Sequence, residues 1–342
     1  MSKLLSNAHW CEFYISNIID SINIAKSSDF GKLKSGKTVF VGRQETNNGI
    51  QGFVHILPNE KKNCITISMV ATHMMAFWQN FDFATSQNIL VLRNKKFNKY
   101  SAYFICSVLN NYLLKKYGYG NVVKLSTFPK EKIMLPANSE GEPDYKFMEE
   151  YIKEREDKLK KQYKEHVKSL VDGLHKKVSS DKEWREFFIS EIFNNIQRGK
   201  RLIKEHQKEG TIPYISSTAL NNGVDNFISN EAGVRKYNNC LSLANSGSVG
   251  ACFYEPFEFI ASDHITHLKG NYSKYSYLFM SCMLNRLSEK YNFNREINDT
   301  RIKREKVFLP VNSKGEPDYE FMEDYMRYLE QKKILEYLEY IK

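Results

Sequence analysis

The sequence predicts an α+β fold built as a pseudo-twofold tandem repeat, with two mostly-β modules joined by long antiparallel helices. Three observations carry this expectation. A motif from the first half of the chain returns near the end. The middle of each half breaks into short apolar runs punctuated by Gly, Asn and Ser, and each motif copy opens a Glu/Lys-rich amphipathic stretch.

The duplication comes first, because a repeat decides how everything else is read. The segment LPANSEGEPDYKFMEEY (135–151) reappears as LPVNSKGEPDYEFMEDY (309–325), identical at 13 of 17 positions and offset by 174. The same offset lays HWCEFYISNI, from His9, on EWREFFISEI, from Glu183, pairing Trp10 with Trp184 and Ile15 with Ile189. Between these ends the match thins: NNGIQGFV (47–54) answers NNGVDNFI (221–228) at the same offset, and Phe81-Asp82-Phe83 answers Phe257-Glu258-Phe259 with the frame shifted by two. The ends of the halves resemble each other, and the middles have diverged.

Along each half, Trp10 and Trp184 precede an apolar run and read as packing residues. Strands are expected at 38–41, 52–57, 64–69 and 88–92, then at 212–215, 224–228 and 265–268, where β-formers sit between turn residues. Helices follow at 100–116 and 275–291, the first showing Phe104, Val108, Leu109 and Tyr112 at three- and four-residue spacing. A KIMLP or KVFLP strand and an Asn-Ser-x-Gly turn come next. Pro143-Asp144 and Pro317-Asp318 suit a helix start, where proline forfeits no needed N–H and a carboxylate complements the helix dipole. The first long helix is expected over 144–177 with Gly173 as its weak point, about 50 Å at about 1.5 Å per residue, and the second over 318–342. Met148, Ile152, Leu159, Tyr163, Val167, Leu170 and Leu174 stripe the first. Such a helix needs a partner, and the repeat supplies one: packed antiparallel, the two would hold the modules at opposite ends of a rod. The expected division is 1–143 and 181–317 for the modules, 144–180 for the spacer helix and 318–342 for the C-terminal helix.

The chain has 342 residues and a net charge of +10, which favours an anionic partner. Residues 1–174 hold 25 Lys/Arg and 17 Asp/Glu, and 175–342 hold 25 and 23, so the first half should dominate phosphate attraction. Cys11, Cys64, Cys106, Cys240, Cys252 and Cys282 form no C-x-x-C pair and read as reduced, mostly buried thiols. The sequence has neither a membrane-length apolar run nor a signal-peptide pattern, and a cytoplasmic location is expected.

The run Trp184-Arg-Glu-Phe-Phe-Ile-Ser-Glu-Ile-Phe, the run Ser246-Gly-Ser-Val-Gly-Ala-Cys-Phe-Tyr before Phe259-Ile-Ala-Ser-Asp, and the Leu-Pro-x-Asn-Ser-x-Gly-Glu-Pro-Asp-Tyr pair carry a resemblance over essentially the full chain. The chain resembles the specificity subunits of Type I and Type IIB restriction-modification systems. The resemblance implies two target-recognition domains, each reading half of a split double-stranded DNA site, with helices as spacer. It also implies partner methyltransferase and endonuclease subunits, separate or fused, which use S-adenosylmethionine and Mg2+ while this chain binds no cofactor or metal and is not an enzyme. Length and the helix-start motif look closer to Type IIB. Where the second half has Asn245-Ser-Gly-Ser-Val-Gly, the first has Met69-Val-Ala-Thr-His-Met, a departure that fits a different target.

The chemistry fits that reading. A methyltransferase needs a glycine-rich cofactor loop and an Asn/Asp-Pro-Pro-aromatic motif, and the eight prolines are never adjacent. His264 and His267 would face opposite sides of a strand, with no third ligand in reach by spacing. The alternative, a restriction-related scaffold or anti-restriction protein-binding module, sits poorly with the basic balance, since a DNA mimic would be acidic.

Base edges call for side chains that donate and accept in planar pairs. Loops rich in these supply the candidates Arg43, Gln44, Asn47, Asn48, Ser86, Gln87 and Asn88 in the first module. In the second they are Ser216, Ser217, Asn221, Asn222, Asn245, Ser246, Ser248, Asp263 and His264, with turn formation as the competing role of Asn-Asn-Gly. Phosphate anchors are expected at Lys32, Lys34, Lys37, Lys95, Lys96, Lys99, Arg198, Lys200 and Arg201, on the ground that these flank the modules and not the helices.

Overall fold

The computed structural model describes residues 5–6, 8–25, 28–71, 73–118, 120–171 and 181–342. The chain divides into two compact units, Met1–Tyr163 and Lys164–Lys342, and the second repeats the topology of the first.

In the first lobe, β1 (Trp10–Tyr14) pairs antiparallel with β9 (Lys132–Pro136), Trp10 opposite Pro136. A short helix, α1 (Ile15–Ile18), leads from β1 to a four-stranded sheet in the order β2 (Ser21–Ile24), β8 (Ile89–Arg93), β5 (Cys64–Ser68), β6 (Ala76–Gln79). A three-stranded sheet, β4 (Ile50–Val54), β3 (Ser35–Val41), β7 (Ala84–Thr85), has β3 and β7 parallel. Helix α2 (Lys99–Lys116) covers the four-stranded sheet, burying Phe104, Ile105, Leu109 and Leu113 in the core with Ile65, Ile67, Leu90 and Leu92. Asn98 caps it, its Oδ1 accepting from Tyr100 N and Ser101 N.

The second lobe repeats this with β10 (Trp184–Phe188), α4 (Ile189–Ile192), β11 (Asn195–Arg198), β12 (Glu209–Ile215), β13 (Val224–Ile228), β14 (Lys236–Tyr237), β15 (Cys240–Ala244), β16 (Cys252–Glu255), β17 (Phe259–Ala261), β18 (Ile265–Lys269), α5 (Lys274–Asn285), α6 (Asp299–Arg304) and β19 (Lys306–Pro310). Its sheets run β11-β18-β15-β16 and β13-β12-β17-β14, the latter one strand wider than its counterpart. Trp10 stacks on Phe104 and Trp184 on Phe279, with ring centroids 6.2 and 6.0 Å apart, so both tryptophans pack the repeat start against the module helix.

The expected helix starts form as capped turns. Asp144 Oδ1 accepts from Phe147 N at 2.9 Å and Asp318 Oδ1 from Phe321 N at 3.0 Å, opening α3 (Tyr145–Val171) and α7 (Tyr319–Tyr340). Gly141 and Gly315 take φ of 79° and 78° in the preceding turns, a region a Cβ disfavours. The stripe on α3 is not continuous: Met148 is 0% and Val167 3% exposed, but Leu159 between them is 65% exposed. The last turns of α3 belong to the second unit, where Gln331 Nε2 of α7 donates to Leu170 O at 2.9 Å. Gly173, Leu174 and Lys177 lie outside the described residues.

Two other boundaries move. The strand expected at 52–57 spans Ile50–Val54 and leaves Leu57 88% exposed. The helix expected at 275–291 stops at Asn285, whose Nδ2 turns back to Cys252 O (2.8 Å) and Ser281 O (3.0 Å), and Arg286–Glu289 continues as a 3-10 turn. The wholly buried strands β5 and β15 hold equivalent places in the two lobes, but only β5 is expected from the sequence, because it carries the β-branched Ile65, Thr66 and Ile67 where β15 has Leu241, Ser242 and Leu243. Among the described residues no helix is long and apolar enough to cross a membrane.

Candidate nucleic-acid interface

Strand direction gathers three loops at one end of each lobe. In the first lobe these follow β3 (42–49), follow β5 (69–75, residue 72 outside the described set) and precede β8 (86–88). Backbone bonds lock them together: Gly42 N donates to Gly49 O (2.9 Å), Ser86 N to Val41 O (3.2 Å) and Met69 N to Asn88 O (2.8 Å). Glu45 bridges two of the loops, accepting from His73 N at 2.9 Å and lying 2.8 Å from His73 Nδ1. A cleft of about 280 Å³ opens beside them, lined by Arg43, Ser86 and Gln87 together with Asp29 and Gln51. Thus Arg43 and the adjacent pair Ser86 and Gln87, far from it in sequence, share one concavity. Gln44 and Asn47 are exposed on the same loop, and Asn88 turns the chain with φ of 66°.

The second lobe repeats the arrangement with loops 216–223, 245–251 and 262–264. Ser262 N donates to Ile215 O (3.0 Å), Asn245 N to His264 O (3.0 Å) and Ser248 N to Ser217 O (2.9 Å). At Gly247, φ is 62° and a Cβ would stand 2.5 Å from Ser217 Oγ, so glycine is what lets the two loops touch. The half-buried Ser216, Ser217, Ser248 and Asp263 and the exposed Asn221 and His264 cluster there. His267 instead is buried in β18, its Nδ1 2.8 Å from Gln197 O and its ring stacked on Tyr237, while His264 lies in the loop before that strand and not, as expected, on its opposite face.

Several candidates are engaged inside the protein. Asn48 and Asn222 hold left-handed φ of 55° and 57° and spend their amides on the neighbouring strand: Asn48 Nδ2 donates to Trp78 O (3.1 Å) and Asn222 Nδ2 to Glu255 Oε2 (3.2 Å). Asn245 is 0% exposed, with Nδ2 donated to Thr266 Oγ1 at 3.0 Å. Ser246, also buried, donates to Glu296 Oε1 at 2.6 Å. The buried Asn245 and Ser246 shape the second lobe's loops from within, whereas Asn48 is half-buried and Asn222 exposed, so each of these two ties its turn to the neighbouring strand from the protein surface.

The phosphate candidates separate by position. Gly199 N donates to Ile265 O (2.9 Å) and Lys200 N to Ala261 O (3.1 Å), which holds Arg198, Lys200 and Arg201 beside the 262–264 loop. Arg198 Nε is 3.3 Å from Asp299 Oδ1, while Lys200 and Arg201 are exposed. Lys32, paired with Asp29 at 3.5 Å, stays near the first-lobe cleft, and Lys34 and Lys37 lie exposed where β3 begins. Lys95, Lys96 and Lys99 lie beyond the far end of β8 from loop 86–88. The expectation that these flank the modules and not the helices fails for two of them. Lys96 stands over the Tyr145 ring at 5.7 Å, and Lys99 pairs with Glu156 of α3 at 3.3 Å, because α2 packs against the long helix.

The sequence reading missed Glu45, His73, Asp29, Gln51 and Glu296. Glu45 meets His73 across 28 residues and Glu296 meets Ser246 across 50, so no local signal marked those pairs, while Gln51 falls inside the repeat match at 47–54, where the second copy has Asp225. Burial pushes the Cys64 and Cys240 thiols up to about 12 and raises Cys106 and Cys252 as well. Among the described residues no group of three or more His, Cys, Asp or Glu is placed to hold a metal ion.

The Type I restriction modification DNA specificity domain family matches this chain twice, over residues 7–168 and 181–340. The chain is 32% identical over 330 residues to the specificity subunit of the Type II restriction enzyme BgcI from Heyndrickxia coagulans, covering 94% of each chain. It is 21% identical over 294 residues to a putative type I specificity subunit from Mycoplasma pneumoniae, covering 83% of this chain and 80% of that one. The crystal structure of a Type-I restriction-modification S subunit from M. genitalium shares the fold, with a TM-score of 0.54 at 14% identity over 99% of this chain and 94% of that one.

Proposed function

The chain belongs to the Type I restriction modification DNA specificity family, with one domain copy in each half, and from that premise we propose that its two lobes read the two halves of a bipartite DNA target. It is a sequence-specific DNA-binding subunit of a restriction-modification system, and not itself an enzyme. The observation that carries the bipartite reading is the repeated three-loop end. One scaffold is built twice, and its loops hold Arg43, Gln44, Asn47, Ser86 and Gln87 in one copy and Ser216, Ser217, Asn221, Ser248, Asp263 and His264 in the other. A duplicated frame with different side chains at its reading edge recognises two different short sequences.

In this reading residues 1–143 and 181–317 are the target-recognition domains, and 144–180 and 318–342 are the spacer and C-terminal helices. Lys200 and Arg201 anchor phosphates beside the second reading edge, and Lys32, Lys34 and Lys37 do so at the first. Methyl transfer and cleavage reside in partner subunits that bring S-adenosylmethionine and Mg2+. The likeness to a Type II enzyme's specificity subunit favours partners in which both activities share one chain. The test is methylome sequencing of cells carrying the chain and its partner subunits. The expected outcome is one asymmetric split motif, and exchanging residues 1–143 for those of a relative changes one half of it only. A continuous motif, or a change in both halves, refutes the assignment.

A further inference from the structure

We infer that Glu255 is the positioning residue of the second lobe's Asn-Asn-Gly turn, and that ionisation of its carboxyl loosens this turn, whereas Gln79 holds the first lobe's turn at any pH. The two residues occupy one place in the repeat. Each ends the edge strand of its four-stranded sheet, Gln79 opposite Cys64 and Glu255 opposite Cys240, and each is 0% exposed beneath the turn.

Gln79 is neutral and both donates and accepts. Its Nε2 donates to Asn48 O (3.1 Å) and Thr66 Oγ1 (2.9 Å), and its Oε1 accepts from Asn48 Nδ2 (3.4 Å). Glu255 accepts from Asn222 Nδ2 at Oε2 (3.2 Å) and from Ser242 Oγ at Oε1 (2.8 Å). A protonated carboxyl can return a proton to Ser242 Oγ, as Gln79 does to Thr66, and so satisfy the site. A carboxylate has no proton to give and sits out of water, and among the described residues no Lys, Arg or His pairs with it.

The groups around it do not relieve the charge. On β15 and β16, burial raises Cys240 and Cys252, so both thiols stay neutral. On β18, His267 stands across from Ser242 and burial lowers it, leaving it neutral where Glu255 ionises. Lys269 commits its ammonium to Asn238 O and Oδ1 at 3.0 and 2.9 Å. Residues 221–223 bring no titratable side chain. Burial accordingly pushes the Glu255 carboxyl up to about 7 from its ordinary 4.5. The remaining source of solvation is water, which reaches the carboxylate when the turn lifts. With the closed and open forms titrating near those two values, turn opening grows about tenfold between pH 6 and pH 8.5. If the second lobe reads DNA as proposed above, that half-site is then read less faithfully at alkaline pH.

Hydrogen exchange of the full chain tests the switch without DNA, so it stands or falls separately from the functional assignment. After correction for intrinsic rates, protection of 216–228 should fall about tenfold from pH 6 to pH 8.5, while 42–54 stays level. Glu255→Gln should flatten the second lobe, and Gln79→Glu should transfer the dependence to the first. Equal protection of 216–228 at both pH values in the unaltered chain, or a dependence that survives Glu255→Gln, overturns the proposal. Should Gln79→Glu fail to fold, the unaltered chain and Glu255→Gln remain decisive.

Discussion

Lys274 stands 2.8 Å from Glu330, an ion pair that ties the first turn of α5 to α7, and the first lobe makes the same tie between Lys99 of α2 and Glu156 of α3 at 3.3 Å. In the second lobe Tyr275 Oη adds a bond to Glu330 at 2.7 Å, with Arg327 over its ring at 4.2 Å. The duplication thus repeats not only the modules but also the way each is fastened to the helix that follows it. A lysine so employed has little charge to spare for phosphate.

Lys99→Ala should therefore lower stability by about 0.2–1 kcal/mol, the usual range for a solvent-screened pair, and leave the salt dependence of DNA binding unchanged. Lys200→Ala and Arg201→Ala should do the reverse. Each should reduce the slope of log K against log salt by about 1 with little effect on stability. Anisotropy titrations of the subunit complex on a duplex over a range of salt separate the two classes. A reduced slope in Lys99→Ala would restore that residue to the DNA-facing set.

Asn222→Ala should destabilise the second lobe by about 2 kcal/mol, combining backbone strain at a left-handed position with a lost hydrogen bond to a buried acceptor. Asn222→Gly should recover the backbone part and keep the other loss. The parallel pair at Asn48 should behave alike, since Gln79 still anchors that turn. Urea unfolding measures all four; equal losses for Ala and Gly would show that φ of 57° carries no cost there.

How much of this was legible follows from the reach of each signal. The repeat, the Asp144 and Asp318 helix starts and the strand at 224–228 are written in contiguous residues, and they form as expected. The pairing of Trp10 with Pro136 spans most of a lobe, beyond the reach of any local signal, and β15, buried on both faces like β5, lacks the β-branched run of Ile65, Thr66 and Ile67 that marks β5. Asn245 shows the limit at the site itself. Its residue type and loop setting suit base reading, and only its burial against Thr266 reveals a structural role.

The pH dependence of stability has a definite sign at Glu255. A carboxyl whose folded value lies near 7, above its ordinary 4.5, binds more protons folded than unfolded between those two. The second lobe is therefore most stable, in this respect, below about pH 4.5 and loses up to about 3 kcal/mol as pH rises to about 7, with no further loss above. Glu255→Gln should remove that loss and stabilise the lobe at pH 8. Denaturant midpoints at pH 6 and pH 8 report the difference, and a variant no more stable than the unaltered chain at pH 8 contradicts it.

The last prediction concerns α3, whose middle is unlike its ends. Leu159 is 65% exposed between Met148 at 0% and Val167 at 3%, so an insertion after Leu159 disturbs no buried contact at that point. Four added residues lengthen a helix by about 6 Å and turn it by little more than one full revolution, keeping the flanking faces nearly in phase. If the helix spaces the two reading lobes, the gap between half-sites should grow by one or two base pairs, at about 3.4 Å each, while both half-site sequences stay the same. Methylome sequencing of cells carrying the variant with its partner subunits reads gap and bases together. An active variant that altered the half-site bases and kept the gap would remove the helix from the role of spacer, because a change of length alone touches neither reading edge.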